Sequence, residues 1–214
     1  LKTSVMWNTA GNLFYNMCQW LMTVLVIRIA GVDQGGILTL AISVCNIWQS
    51  ISLFGMHNFQ ASDEKNEYSD DTYLKSRYIT ATIGLVGVLV YLIIKGYSTE
   101  QNICIIMFYF LRITEALQDV YFAIFQNAWR LDIPGKSMLI RGTVSILAFS
   151  LVLKLSGNLA ITIAVDAVLC MLVVFVYDSK KLKKIESVNK NIDKACVENI
   201  FSLLRKCFPL AAYV

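Results

Sequence analysis

Within the run NICIIMFYFLRITEALQDVYFAIFQ, Arg112, Glu115, Asp119 and Gln126 recur at i, i+3, i+7 and i+14. At about 100° per residue these positions share a sector of roughly 60°, so a helix here carries one charged face on an otherwise apolar body. A charge at the centre of a bilayer costs about 2.5 to 3.5 kcal/mol on insertion scales, so the stripe should face a partner or a hydrated cavity rather than lipid. Two chemistries fit these residue types. Arg112 and Glu115 could form an ion pair that only neutralises itself, or the stripe could serve transport. Two acids accompany one base, which favours transport.

The elements that hold this stripe are set by composition. The chain of 214 residues is 57% hydrophobic and 16% charged, with a mean hydropathy of +0.58. That is the profile of a polytopic all-α membrane protein, not of a soluble domain. Apolar runs long enough to cross about 30 Å of hydrocarbon occupy residues 5–27, 36–58, 77–95, 102–125, 138–156 and 159–177. Six spans are therefore expected over residues 1–178. From 179 to 207 the chain turns basic, with Leu182, Ile185, Val188, Ile192, Cys196, Ile200, Leu203 and Cys207 spaced by threes and fours. This predicts an amphipathic linker suited to an anionic inner leaflet. A further apolar stretch, 208–214, is expected to open a truncated seventh span. With Leu1 rather than Met at the start, the chain has the appearance of an N-terminal fragment.

Two more helices carry polar stripes. Asn8, Asn12, Asn16, Gln19 and Thr23 lie on one face of the first span, and Thr39, Ser43, Asn46, Ser50 and His57 on one face of the second. Single amides and hydroxyls often join packed membrane helices. Whole stripes on three helices predict instead the lining of a hydrated central cavity. In the third span Gly84 and Gly87 suit close packing, and in the sixth Asp166 is a second ionisable site that needs a partner.

Other signals are excluded. GKS at 135–137 is no phosphate-binding loop, because Arg130 stands where that loop needs a glycine. Pro134 and Gly135 read instead as a tight turn, with Arg130, Lys136 and Arg141 as inner-face anchors. The six cysteines include no C-x-x-C pair, so neither zinc nor a disulfide framework is implied.

The segment RITEALQDVYFAIFQNAWRLDIPGKSMLIRG (112–142), with NFQASD at 58–63 before a Tyr/Lys/Arg loop, resembles the polysaccharide flippases of the MOP superfamily (multidrug, oligosaccharidyl-lipid, polysaccharide), most of all the Wzx-like branch of O-antigen and capsule export. The resemblance implies a six-helix lobe, one of a pseudo-symmetric pair around a central cavity, in the cytoplasmic membrane of a bacterium. Its implied cargo is an undecaprenyl-pyrophosphate-linked oligosaccharide, moved between leaflets with H⁺ or Na⁺ as coupling ion. Membrane lipids are the other expected partners, and no cofactor or nucleic acid is expected. The residue chemistry agrees. A pyrophosphate suits the planar donor fork of arginine, which nominates Arg112 and, near the outer mouth, Arg28. Sugar hydroxyls suit Asn12, Asn16 and Asn46, and intramembrane carboxylates nominate Glu115, Asp119 and Asp166 as ion-coupling groups.

Rival readings are a MATE-like cation-coupled drug antiporter of the same superfamily, whose cavity should be dominated by acids, and a non-transporting interaction protein. An enzyme acting on lipid-linked sugars fits poorly, since the outer connections near 28–35, 96–101 and 156–158 are too short to build a catalytic site.

Orientation follows from the basic residues. With the N-terminus inside, fifteen Lys and Arg fall on inner segments and three on outer ones, Arg112 lying within a span. Positive residues are retained on the cytoplasmic side. In a background without native cysteines, a cysteine at Ser69 or Ser137 should therefore resist impermeant thiol reagents added outside whole cells. Ready labelling from outside would reverse the orientation.

Overall fold

The structure is a computed structural model that describes residues 2–63, 67–186 and 197–211. Helices account for every regular element among these residues: α1 (Lys2–Ala30), α2 (Val32–Leu53), α3 (Met56–Ser62), α4 (Asp70–Lys95), α5 (Thr99–Asn127), α6 (Asp132–Ser156), α7 (Leu159–Val173), a π-helical turn (Val174–Asp178), α8 (Ser179–Glu186) and α9 (Val197–Ala211). Five stretches are long and apolar enough to cross a bilayer: Lys2–Ala30, Val32–Ser62, Asp70–Lys95, Asp132–Ser156 and Leu159–Lys183. The expected fourth span lies within α5, which is as long as α1. Its charged stripe sets it apart from the other five in composition. Large apolar side chains such as Ile93 and Leu155 remain on the outside of the bundle, as a lipid-facing surface requires.

The helices outrun the apolar runs because polar residues cap them. Ser69 opens α4 by accepting from Thr72 N at 3.3 Å, Ser98 and Gln101 form a reciprocal capping box at α5, and Asn158 accepts from Ile161 N at 3.2 Å. Gly96 and Gly157 close α4 and α6 in the left-handed conformation. Helix α2 instead breaks at Phe54 (φ 49°) and Gly55 (φ 61°), before α3 continues the same apolar stretch.

Helix α5 is central and packs on α2, α4 and α7, while α1 packs mainly on α6. Two apolar cores result. One gathers Val44, Val88, Ile105, Phe108, Leu111 and Phe149; the other gathers Met56, Tyr73, Val120, Phe125, Ile133 and Leu203. The residues 112–119 of α5 lie between them, so the polar layer is sandwiched by apolar packing.

Several sequence expectations change. Pro134 and Gly135 form no tight turn; they lie in the first turn of α6, where proline is tolerated because its missing N–H has no helical partner. The chain reverses just before, at Trp129 (φ 57°). Gly135 and Gly11 are the point where α6 and α1 touch backbone to backbone: a Cβ on Gly11 would come 2.2 Å from Gly135 O, and one on Gly135 would come 2.2 Å from Trp7 O. Gly84 and Gly87 do serve packing, by admitting the Tyr109 hydroxyl and the Trp48 ring. Arg141, read as an inner-face anchor, and Arg77, counted with the inner basic residues, are instead buried side chains within the bundle, at 1% and 0% exposure. Without them thirteen inner basic residues still face three outer ones.

The basic segment after α7 also differs. Residues 187–196 lie outside the described residues, so Val188, Ile192 and Cys196 of the expected stripe are not placed. The rest of the stripe in α9 does not lie free for a leaflet: Ile200, Leu203 and Cys207 are buried against the end of the bundle. Tyr68 hydrogen-bonds Ser202 at 2.9 Å, and Lys206 pairs with Glu67. Helix α9 runs through Phe208 to Ala211, and residues 212–214 of the expected seventh span lie outside the described residues.

Because Ser137 is fully buried, a cysteine there would be silent from either side; exposed Trp129 takes its place beside Ser69 in the labelling test. The α1–α6 contact makes a second prediction. Gly11→Leu or Gly135→Val should destabilise by about 1 to 3 kcal/mol or more, as overpacking does, seen as earlier thermal unfolding in detergent. Gly36→Ala, which meets nothing within 4 Å, should leave the melt unchanged or raise it slightly.

Candidate functional site

A cavity of about 470 Å³ opens between α1, α2, α5 and α6. Helix α1 contributes Asn12, Tyr15, Asn16, Gln19, Trp20 and Thr23; α2 contributes Ile42, Gln49 and Leu53; α5 contributes Arg112, Glu115, Gln118, Asp119 and Phe122; and α6 adds Met138. The polar stripe of α1 therefore faces this space along four of its five positions. The stripe of α2 does so much less. The hydroxyls of Thr39, Ser43 and Ser50 donate to carbonyls one turn back in their own helix, at 2.8, 2.9 and 3.3 Å. Gln49, outside the expected stripe, lines the wall instead, and Asn46 joins it by accepting from Arg112 Nη2 at 2.8 Å.

Glu115 is the most densely held group of the wall. Its Oε1 accepts from the Tyr15 hydroxyl at 2.6 Å and lies 3.6 Å from Arg141 Nη2; its Oε2 accepts from Arg112 Nη1 at 2.5 Å and from Gln49 Nε2 at 3.0 Å. Four helices thus converge on one carboxylate. Charge-assisted bonds of this kind are the strong ones, and a desolvated carboxylate requires them. Arg112 also lies over the Phe108 ring, 5.0 Å from its centroid.

Asp119 belongs to a separate group. It takes Arg77 Nη2 at 2.7 Å and His57 Nδ1 at 2.9 Å. Arg77 Nη1 donates in addition to Ser52 O and Leu53 O at 2.8 and 2.6 Å, and Thr80 Oγ1 to Ser52 O at 2.8 Å. These are the carbonyls left open where α2 breaks, so Arg77 caps a helix end and pairs an acid at once.

Asp166 of α7 is 1% exposed and sits in the wall of a second, much smaller pocket with Gln19, Thr23 and Phe149. Its neighbours are the Ser145 hydroxyl and the Cys170 thiol, the latter at 3.8 Å. Among the described residues no ion pair reaches it. Arg28 does not come to the site at all: it is exposed in the last turn of α1, away from the cavity lining.

Sequence reasoning missed Arg77, Arg141, Gln118 and Asp178. Arg141 Nη1 donates to Gln118 Oε1 at 2.5 Å and Nη2 to Thr114 Oγ1 at 2.7 Å, while its guanidinium lies over the Tyr15 ring. Gln118 Nε2 in turn reaches Ser137 Oγ at 2.9 Å and Asp178 Oδ2 at 3.0 Å. A signal for Arg141 did exist, since the apolar run 138–156 begins three residues before it. Among the described residues no group of three His, Cys, Asp or Glu side chains is placed to hold a metal.

The arrangement can hold an anion or hydroxyl-rich ligand. Arg112 is the guanidinium in the cavity lining, beside the carboxylates Glu115 and Asp119, which the buried guanidinium groups of Arg141 and Arg77 also meet, with amides from α1 and α2 nearby. No family model, curated protein or solved structure matches the chain.

The two arginines on Glu115 should differ in effect. Arg141 is fully buried, and removing one partner of a buried pair costs about 3 to 5 kcal/mol, so Arg141→Ala should lower folded yield and melting temperature sharply. Arg112→Ala should cost much less, because Glu115 keeps Tyr15, Gln49 and Arg141. Equal losses in a detergent melt would place Arg112 among the structural groups.

Proposed function

We propose that this chain is a six-span lobe of a polysaccharide flippase of the MOP superfamily, binding the pyrophosphate-linked end of a lipid-linked oligosaccharide in the cavity between α1, α2, α5 and α6. In this reading α5 also crosses the bilayer, as the fourth of six spans, the membrane is the bacterial cytoplasmic membrane with the N-terminus inside, and H⁺ or Na⁺ drives the movement. The single observation that carries it is the guanidinium of Arg112 in the wall of a polar cavity within a membrane-type bundle, beside carboxylates that the buried Arg141 and Arg77 also meet. A phosphate-bearing ligand needs fixed positive charge in a low dielectric, and arginine supplies it with a planar donor fork.

Arg112 is the substrate-facing group, lining the cavity with a side chain 14% exposed. Asn12, Asn16 and Asn46 surround it with amides for sugar hydroxyls. Glu115 and Asp119 are each held by arginine, which leaves Asp166 as the better ion-coupling candidate of the three acids. The same pairing weighs against a drug antiporter, whose cationic cargo would meet carboxylates already held by arginine.

The experiment is replacement in cells whose surface polysaccharide depends on this gene. Arg112→Ala should abolish surface polysaccharide at normal protein abundance, and Arg112→Lys should restore it only in part, because the bidentate fork is gone. If Arg112→Ala lowers abundance in step with activity, and Arg112→Ala with Glu115→Ala recovers both, the pair is a structural neutralisation and the substrate role is wrong.

A further inference from the structure

Asp178 closes the π-helical turn Val174–Asp178 and is 0% exposed. Its surroundings differ from those of Glu115 and Asp119. One oxygen, Oδ2, accepts from the neutral amide of Gln118 at 3.0 Å, with the Ser137 hydroxyl close by. The other, Oδ1, is buried with no hydrogen-bond partner. Among the described residues no ion pair reaches it, although Arg141 acts on it electrostatically and Asp132 of α6 shares its neighbour Tyr177. Arg141 of α6 is separated from it by Gln118, Glu115 lies about one turn further along α5, and Lys181 of α8 lies over the neighbouring Tyr177 ring. Asp166 stands further up α7. An ionised carboxylate in such a place would be desolvated on one oxygen with nothing in return. A carboxylic acid meets the same geometry at far lower cost, because an unmet neutral polar atom costs much less to bury than an unmet charge.

The geometry points to Asp178 as a proton-binding site: its carboxyl holds a proton in this arrangement of the bundle and exchanges it with water at the inner end of α7. The step is a simple one. The O–H bond breaks, the proton passes to a water molecule, and the electron pair stays on the carboxylate, which then calls for a stronger donor. Gln118 links this event to the cavity. Its nitrogen serves Asp178 and Ser137 while its oxygen takes Arg141, and Arg141 faces Glu115. Deprotonation at Asp178 therefore competes with Glu115 for Arg141 through one amide. A π turn at this position fits such a role, since these turns occur mostly as local interruptions of α-helices and often at functional sites. The site does not depend on what the cavity carries.

Infrared spectra of the purified full chain in lipid nanodiscs test this directly. At neutral pH the exposed acids are ionised, so a carboxylic-acid C=O band reports buried protonated groups. Asp178→Asn, which mimics the neutral acid in shape and still accepts from Gln118, should remove a component of that band, and the variant should melt no earlier than the parent. An unchanged band with Asp178→Asn, or a band lost entirely with Asp166→Asn alone, overturns the assignment. Should Asp178→Asn fail to fold, a second measurement decides: in the Asp166→Asn variant labelled with ¹³C-carboxyl aspartate, an isotope-shifted acid band must remain for the proposal to stand. Its absence rejects it.

Discussion

The carboxylate of Glu115 is the constraint on which the bundle turns. It sits on the central helix, in the layer between the two apolar cores, and it takes donors from α1, α2, α5 and α6. Apolar packing in a membrane gives little preference for one helix neighbour over another, because lipid tails are as apolar as leucine. A desolvated charge does give that preference, since only one arrangement of four helices satisfies it. The same logic recurs one turn away, where Asp119 joins α4 and the broken end of α2 through Arg77. Polar groups therefore specify which helices meet, and the apolar cores on either side supply the bulk of the contact.

This division also separates the acids by role. Glu115 and Asp119 of α5 are neutralised by arginines and fix geometry and field at the cavity. Asp166 of α7 and Asp178 of the π-helical turn hydrogen-bond only hydroxyl, thiol or amide groups. Pairing holds a charge in place; its lack leaves a group free to change protonation at modest cost. In the flippase reading proposed above, the first kind keeps the cavity attractive to cargo and the second responds to an ion gradient.

Much of this was legible in the sequence. The spacing of Arg112, Glu115 and Asp119 identified one face of α5, and the asparagines of α1 identified the opposite wall, because a 3.6-residue period is local information. The Arg112–Glu115 contact followed from its i, i+3 spacing. Arg77 and Arg141 were not legible in the same way. Both stand at the start of an apolar run, where composition reads a basic residue as an interfacial anchor, and the helices in fact begin several residues earlier, at Asp70 and Asp132. Partners on other helices leave no periodic trace, so neither the Arg141–Gln118–Asp178 chain nor the capping of α2 by Arg77 could be seen. The hydroxyls of α2 misled for the opposite reason: they fall on one face, but bond their own backbone.

The glycine contact between α1 and α6 has a mechanical consequence. Where two backbones touch without side chains between them, there are no rotamers to re-sort and no gap to close, so sliding or hinging at that seam meets hard repulsion at once. Helices α1 and α6 are thus expected to travel as a single lever. A change in the width of the cavity falls instead to its other edge, where α2 is joined to the wall by the Asn46–Arg112 and Gln49–Glu115 hydrogen bonds and is interrupted by its own bend at Phe54 and Gly55. The rigid side of the bundle thereby assigns the pliant side.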